Sequence, residues 1–237
     1  MPDRHVDKLG GYADLTAAEV RALVDATADH RPVKARRDLV QEGDEGGKML
    51  VMVDGWAFRY KVLPRGTRQV MAILMPGDVC DLNGGPLGEV DHGIQTITDA
   101  RVATISAATA AQLMGMPGIA RAMYVAQQVD QATSRAWIVS MGRRTSIERA
   151  ANLLLELYLR AVMADVAVDG MIDLPLSQVV LADALGMTAV HVNRVLQELR
   201  RSDAIQLERR VLRILDPAVL TRIAGFDDNY LLRRARA

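Results

Sequence analysis

A chain of 237 residues, half of them apolar, is long enough for a full core and fits two domains better than one. Twenty-nine Lys and Arg balance twenty-nine Asp and Glu, so bulk charge does not announce a nucleic-acid binder. The single cysteine, Cys80, excludes a disulfide framework and a multi-cysteine metal site. The N-terminus lacks a signal-peptide pattern and no apolar run is long enough to span a bilayer, so the expected location is the cytoplasm, with no membrane partner.

Leu15 to Ala28 reads as a helix opened by a capping-box pattern, Thr16 to Glu19. From Val33 to Ser106 short β-branched runs alternate with turn signals. Strands are expected near Asp38–Val40, Met49–Val53, Trp56–Leu63, Gln69–Met75, Gly93–Ile97 and Val102–Ile105. Short strands at this spacing predict a β-sandwich or barrel. There is no repeat and no low-complexity segment.

Gly118 to Met141 is helical again. Ala122, Val125, Val129, Ala132, Ala136 and Val139 recur at heptad spacing, and every one is small and apolar. Either this seam packs on the chain's own barrel or it meets a second copy. Ile119, Met123, Trp137, Ile138 and Met141 supply another apolar face for the barrel, which favours a parallel two-fold dimer through the seam. Gly142 is expected to end the helix. Thr145 to Glu148 is a further capping-box pattern opening a helix through about Met163. The expected organisation is therefore residues 1–117, a dimerisation helix at 118–141, and a second domain at 142–237. A polar stretch, Asp165 to Pro175, connects onward.

Ser177 to Leu199 reads as two short helices with a break at Gly186–Met187. Ser177 and Thr188 are N-cap types, and Gly186 suits a left-handed helix end. Val192, Val195, Leu196 and Leu199 form a buried stripe, which leaves Ala189, Val190, Asn193, Arg194 and Gln197 facing outward. This is the helix-turn-helix layout, whose second helix enters the DNA major groove; the bland alternative is a helical hairpin in an all-α core. Ile205–Leu207 and Val211–Ile214 form a small hairpin, or wing, with Arg209 and Arg210 at a tip able to reach phosphates, unless the tip is only a solvated turn. From Met187 to Arg213 six arginines face three acids, a local excess of three that suits site-specific DNA binding.

The pieces GxxxVMVDGWAFRY, LMPGDVCDL, TSIERAANLLLEL and VVLADALGMTAVHVNRVLQELRR resemble the Crp/Fnr family of bacterial transcription regulators, over about Leu15 to Ile223. The resemblance implies an α+β chain: an N-terminal double-stranded β-helix (a jelly-roll or β-roll) sensor, a long dimerisation helix and a C-terminal winged helix-turn-helix. It implies a homodimer on a near-palindromic operator, control of RNA polymerase, and a small-molecule effector. The family's DNA-facing positions fall on Thr188, Ala189, Val190, His191, Asn193 and Arg194. The cyclic-AMP-responsive member has an Arg-Glu pair where this chain has Ala189-Val190, so its operator does not transfer.

The resemblance also locates a candidate effector pocket at Cys80, Asp81, Asp91, His92, Thr133 and Ser134. Cyclic nucleotides need Gly-Glu and then Arg-Ser/Thr. Here Cys80-Asp81 and Asp91-His92 stand instead, on either side of a Gly-rich loop, and an acid at the arginine position repels phosphate. Thr133 and Ser134 cut the other way, lying near where family polar residues touch a purine. An iron–sulfur cluster needs four thiolates and is excluded. Haem would draw on His92, Met75 or Cys80, and a lone loop His reads as solvated. Cys80 is either a redox switch or inert core. No resident cofactor is expected.

Two other function classes compete. A cupin-like metal enzyme needs clustered ligands, but His5, His30, His92 and His191 are scattered, and no nucleophile triad or phosphate loop appears. A ligand-binding regulatory module without DNA does not account for the winged helix.

Overall fold

The computed structural model describes residues 3–81 and 88–231. In chain order the helices are α1 (Arg4–Gly10), α2 (Ala17–Ala28), α3 (Ala107–Met114), α4 (Pro117–Arg143), α5 (Ser146–Met163), α6 (Gln178–Leu185), α7 (Ala189–Arg201) and α8 (Pro217–Ala224), before a 3-10 turn at Asp228–Leu231. The strands are β1 (His30–Val33), β2 (Asp38–Val40), β3 (Lys48–Asp54), β4 (Ala57–Val62), β5 (Arg68–Leu74), β6 (Val79–Asp81), β7 (Gly93–Thr96), β8 (Ala100–Ser106), β9 (Met171–Asp173), β10 (Ile205–Glu208) and β11 (Val211–Ile214). Two compact units result, Met1–Gln128 and Val129–Ala237.

Two antiparallel four-stranded sheets build the first unit, in the orders β1-β8-β3-β6 and β2-β7-β4-β5. Side chains alternate across a strand, and β3 and β8 use both faces. Leu50, Met52, Ala100 and Val102 point between the sheets, where they meet Ala57, Leu74, Cys80 and Ile94. Met49, Val51, Ala103 and Ile105 point the other way and are covered by Leu9, Leu23, Leu113, Ile119, Ala122 and Met123 from the helices. Thr16 closes its capping box with Glu19 as the sequence predicts, and the same carboxylate accepts the Gly118 N–H at 2.6 Å, which pins the start of α4.

In the second unit α5 is the central element. Ala150, Ala151, Leu153, Leu154, Leu155 and Leu157 are buried, and α6, α7 and α8 pack around the helix. Glu156 is fully buried and accepts hydrogen bonds from Trp137 Nε1 at 2.9 Å, the Tyr230 hydroxyl at 3.0 Å and Arg160 Nη1 at 3.3 Å. Burial raises its pKa, against the pull of Arg160 and these donors.

Two expectations are corrected here; the end of α4 at Arg143 lies within one residue of the expected stop at Gly142. The segment 118–141 is not a separate piece: Ala122 and Met123 pack into the first unit and Trp137 into the second, so the division falls within α4. The polar stretch from Asp165 to Pro175 contains a strand, β9, which pairs with β11 and makes the wing three-stranded.

Candidate nucleic-acid interface

The helix pair is fixed by its caps. The Ser177 hydroxyl accepts the Val180 N–H at 3.2 Å and opens α6. Gly186 closes α6 at φ +60, and the Thr188 hydroxyl accepts the His191 N–H at 3.2 Å to open α7. The two helices are bent by 94° at this break, within the range of a helix-turn-helix. Val192, Val195, Leu196 and Leu199 are all buried as the spacing predicts, so α7 has a fixed inner face.

The other face of α7 is free. Arg194 and Gln197 are exposed and Ala189, His191 and Asn193 half-buried, while Val190 is 73% exposed. Arg194 makes no hydrogen bond or ion pair with any described residue. An exposed valine beside an unpaired arginine, on a helix whose opposite face is buried, presents a methyl pair and a guanidinium fork to whatever approaches.

The wing adds a second cationic point. Glu208 pairs with Val211, which extends the hairpin by one pair and leaves Arg209 and Arg210 as a two-residue loop. Both have positive φ, 45° and 74°, as a type I′ turn requires, a conformation normally given to Asn-Gly. Arg210 Nε lies 4.0 Å from Asp173 Oδ1 in an exposed pair. Arg200 Nη2 donates to Leu207 O at 2.8 Å, tying α7 to the wing, and Arg213 Nη2 sits 3.3 Å from Met171 Sδ. Arg200 and Arg213 belong to the local basic excess, but they brace the wing.

The seam on α4 is partly corrected. Ala122 is completely buried in the chain's own core and cannot face another copy. Val125, Val129, Ala132 and Ala136 are half-buried and Val139 is 54% exposed. Ile138, which the spacing assigns to the inner face, is 70% exposed. Helical periodicity identifies an apolar stripe but not the surface that covers it, so it assigns one residue to the wrong face at each end.

Of the pocket candidates, Cys80 and Asp81 lie on β6 and Asp91 and His92 just before β7, while residues 82–87 of the Gly-rich loop fall outside the described residues. Cys80 is buried, and burial, aided by Asp78, pushes its thiol up to about 12, so it is not a thiolate at neutral pH. His92 is not solvated as expected: its Nδ1 is 2.9 Å from Asp91 Oδ1 and its Nε2 is buried without a described partner. The Thr133 hydroxyl donates to Val129 O at 2.9 Å, within its own helix, and Ser134 is exposed; both belong to the second unit. Among the described residues no group of three His, Cys, Asp or Glu is placed to hold a metal, and no single helix is long and apolar enough to cross a membrane.

Residues 30–116 match the family described as cyclic nucleotide-binding domain, and residues 148–223 the family described as Crp-like helix-turn-helix domain. The transcriptional activator protein FnrL of Cereibacter sphaeroides is 25% identical over 217 residues, which is 90% of this chain and 87% of the relative. The nitrogen fixation regulation protein FixK of Bradyrhizobium diazoefficiens is 28% identical over 175 residues, 73% of each. The solved structure of FixK2 from Bradyrhizobium japonicum is similar with a TM-score of 0.76 at 24% identity, covering 84% of this chain and 98% of that one. A β-roll that matches one domain, followed by a winged helix that matches the other, gives the conclusion: the chain belongs to the Crp/Fnr family of DNA-binding transcription regulators.

Proposed function

We propose that the chain acts as a cytoplasmic homodimer that reads a near-palindromic operator, with α7 of each copy in the major groove, and that it regulates transcription through RNA polymerase without enzymatic activity of its own. The observation that carries this reading is the free face of α7. Arg194 is exposed and unpaired one turn after Val190, and a guanidinium there bonds guanine O6 and N7 with two parallel hydrogen bonds. Thr188 and His191 lie at the helix start and to the side of that face, and take the phosphate role. Arg209 and Arg210 hold the backbone from the wing.

The dimer reading rests on Val125, Val129, Ala132, Ala136 and Val139, joined by the exposed Ile138. Val129→Asp places two carboxylates in an apolar interface without partners, which is strongly unfavourable. The expected result is a monomer in sedimentation at micromolar concentration, with weakened operator binding. A variant that stays dimeric puts the interface elsewhere.

A cyclic nucleotide is not the effector of the roll. Asp91 stands where the resemblance requires an arginine, and its exposed carboxylate does not fit a cyclic phosphate. A lone, protonated, buried Cys80 fits neither an iron–sulfur cluster nor a redox switch.

A further inference from the structure

Arg149, in the first turns of α5, takes no part in the DNA-facing surface. Its Nη1 donates to Leu185 O at 2.6 Å, and its Nη2 lies 3.3 Å from Arg144 O and 3.4 Å from Met141 O. The three acceptors are main-chain carbonyls at helix ends: Met141 and Arg144 at the close of α4, and Leu185 as the last residue of α6. Such carbonyls lack partners within their own helices and carry the negative end of the helix dipole. A guanidinium is permanently charged and forked, so one side chain can satisfy several of them at once.

The site is tight as well as polar. A Cβ on Gly186 would run into Met141 Cε and lie 3.7 Å from Arg149 Nη1. The turn between α6 and α7 therefore sits directly on the end of α4, with the guanidinium between them. Arg149 has no carboxylate partner among the described residues, and its Nε is buried without an acceptor beside a pocket lined by Trp137, Ser140, Asn152 and Leu153. Burying part of a cation without a counter-ion is costly. Helix packing alone does not need it: Leu153, Leu154 and Leu157 already fill the core around α5.

We infer that Arg149 is a positioning residue: it locks the helix-turn-helix onto the C-terminal end of α4 and so fixes the direction in which α7 points away from that helix. The inference rests on the proposed dimer through α4, because only then does the angle set the distance between two recognition helices. Two half-sites one DNA turn apart must be met together, and an extra base pair moves one half-site by roughly 3.4 Å and about a tenth of a turn. Binding both half-sites at once raises affinity by about 10²- to 10⁴-fold only when geometry permits it.

The test uses the full-length protein and an operator selected by wild type from random duplexes. Affinity is measured on that operator, on a single half-site, and on operators whose half-sites are one base pair closer or farther apart. Wild type is expected to prefer the native spacing by about tenfold or more. Arg149→Met is expected to bind the half-site within about twofold of wild type, and to discriminate between spacings by less than about threefold. Arg149→Lys keeps the charge but cannot reach three carbonyls, and is expected to fall between the two. If either variant keeps the spacing preference of wild type, the proposal is overturned while the dimer stands. Equal loss on half-site and full operator by both variants also overturns it, since that marks a local folding role. If wild type itself gains nothing from a second half-site, the dimer reading fails and the proposal falls with it.

Discussion

At the residue scale, charge placement decides what the roll refuses. Asp91 is exposed, and the hydrogen bond from His92 holds its carboxyl below the usual range, so it is an anion throughout the neutral region. Two like unit charges 4 Å apart repel by about 1 kcal/mol in bulk water and about 4 kcal/mol near a protein surface. That is roughly a fivefold to a 700-fold loss in affinity for a phosphate beside Asp91. Calorimetry with cyclic AMP should give no heat of binding below millimolar concentration, and operator affinity should be the same with and without the nucleotide. Sub-millimolar binding would mean that the phosphate sits elsewhere in the roll. Nothing in the linear pattern shows that His92 is half-buried, because burial depends on strands distant in sequence. The role of Arg149 is hidden for the same reason: its acceptors lie at positions 141, 144 and 185.

At the element scale, the wing holds a conformation that its residues disfavour. A type I′ turn needs two left-handed residues, which cost a β-carbon-bearing residue roughly 1–2 kcal/mol each relative to glycine. The chain nevertheless places Arg209 and Arg210 there. Strain retained at an exposed tip points to a role for the side chains. The double change Arg209→Asn and Arg210→Gly should therefore raise thermal stability, by about 1 kcal/mol. The same change should weaken DNA binding and lower the salt slope by about 0.9 for each phosphate that is no longer neutralised. A stabilised variant with unchanged affinity and slope would show that the tip does not touch DNA. Legibility at this scale follows locality. The caps at Thr16, Ser177 and Thr188 act within three residues, and those helices start as expected. By contrast β1 carries Pro32 and, among the described residues, pairs with β8 alone, and β9 is three residues long; such strands exist through distant partners and leave little local pattern. The short helices α1 and α3 also escape the sequence reading, although Asp3 and Ser106 cap them by the same chemistry.

At the scale of the whole molecule, the sequence carries the order of parts more clearly than their borders. Turn signals and short strands point to the roll, and the capped helix pair to the DNA-binding part, each from local pattern. The border between the units escapes that pattern because α4 is continuous and the packing of Ala122 and Trp137, rather than a break in the helix, assigns its halves. What joins these parts into one function is the claim that α7 reads sequence, and selection of bound duplexes from a random pool, run side by side on wild type and Arg194→Ala, tests it most directly. Wild type should recover a two-fold symmetric site with half-sites about one helical turn apart, and Arg194→Ala should lose roughly 1–3 kcal/mol on that site and relax preference at one base pair in each half. Recovery of no common site by wild type, or of the same preferences by both proteins, would contradict it.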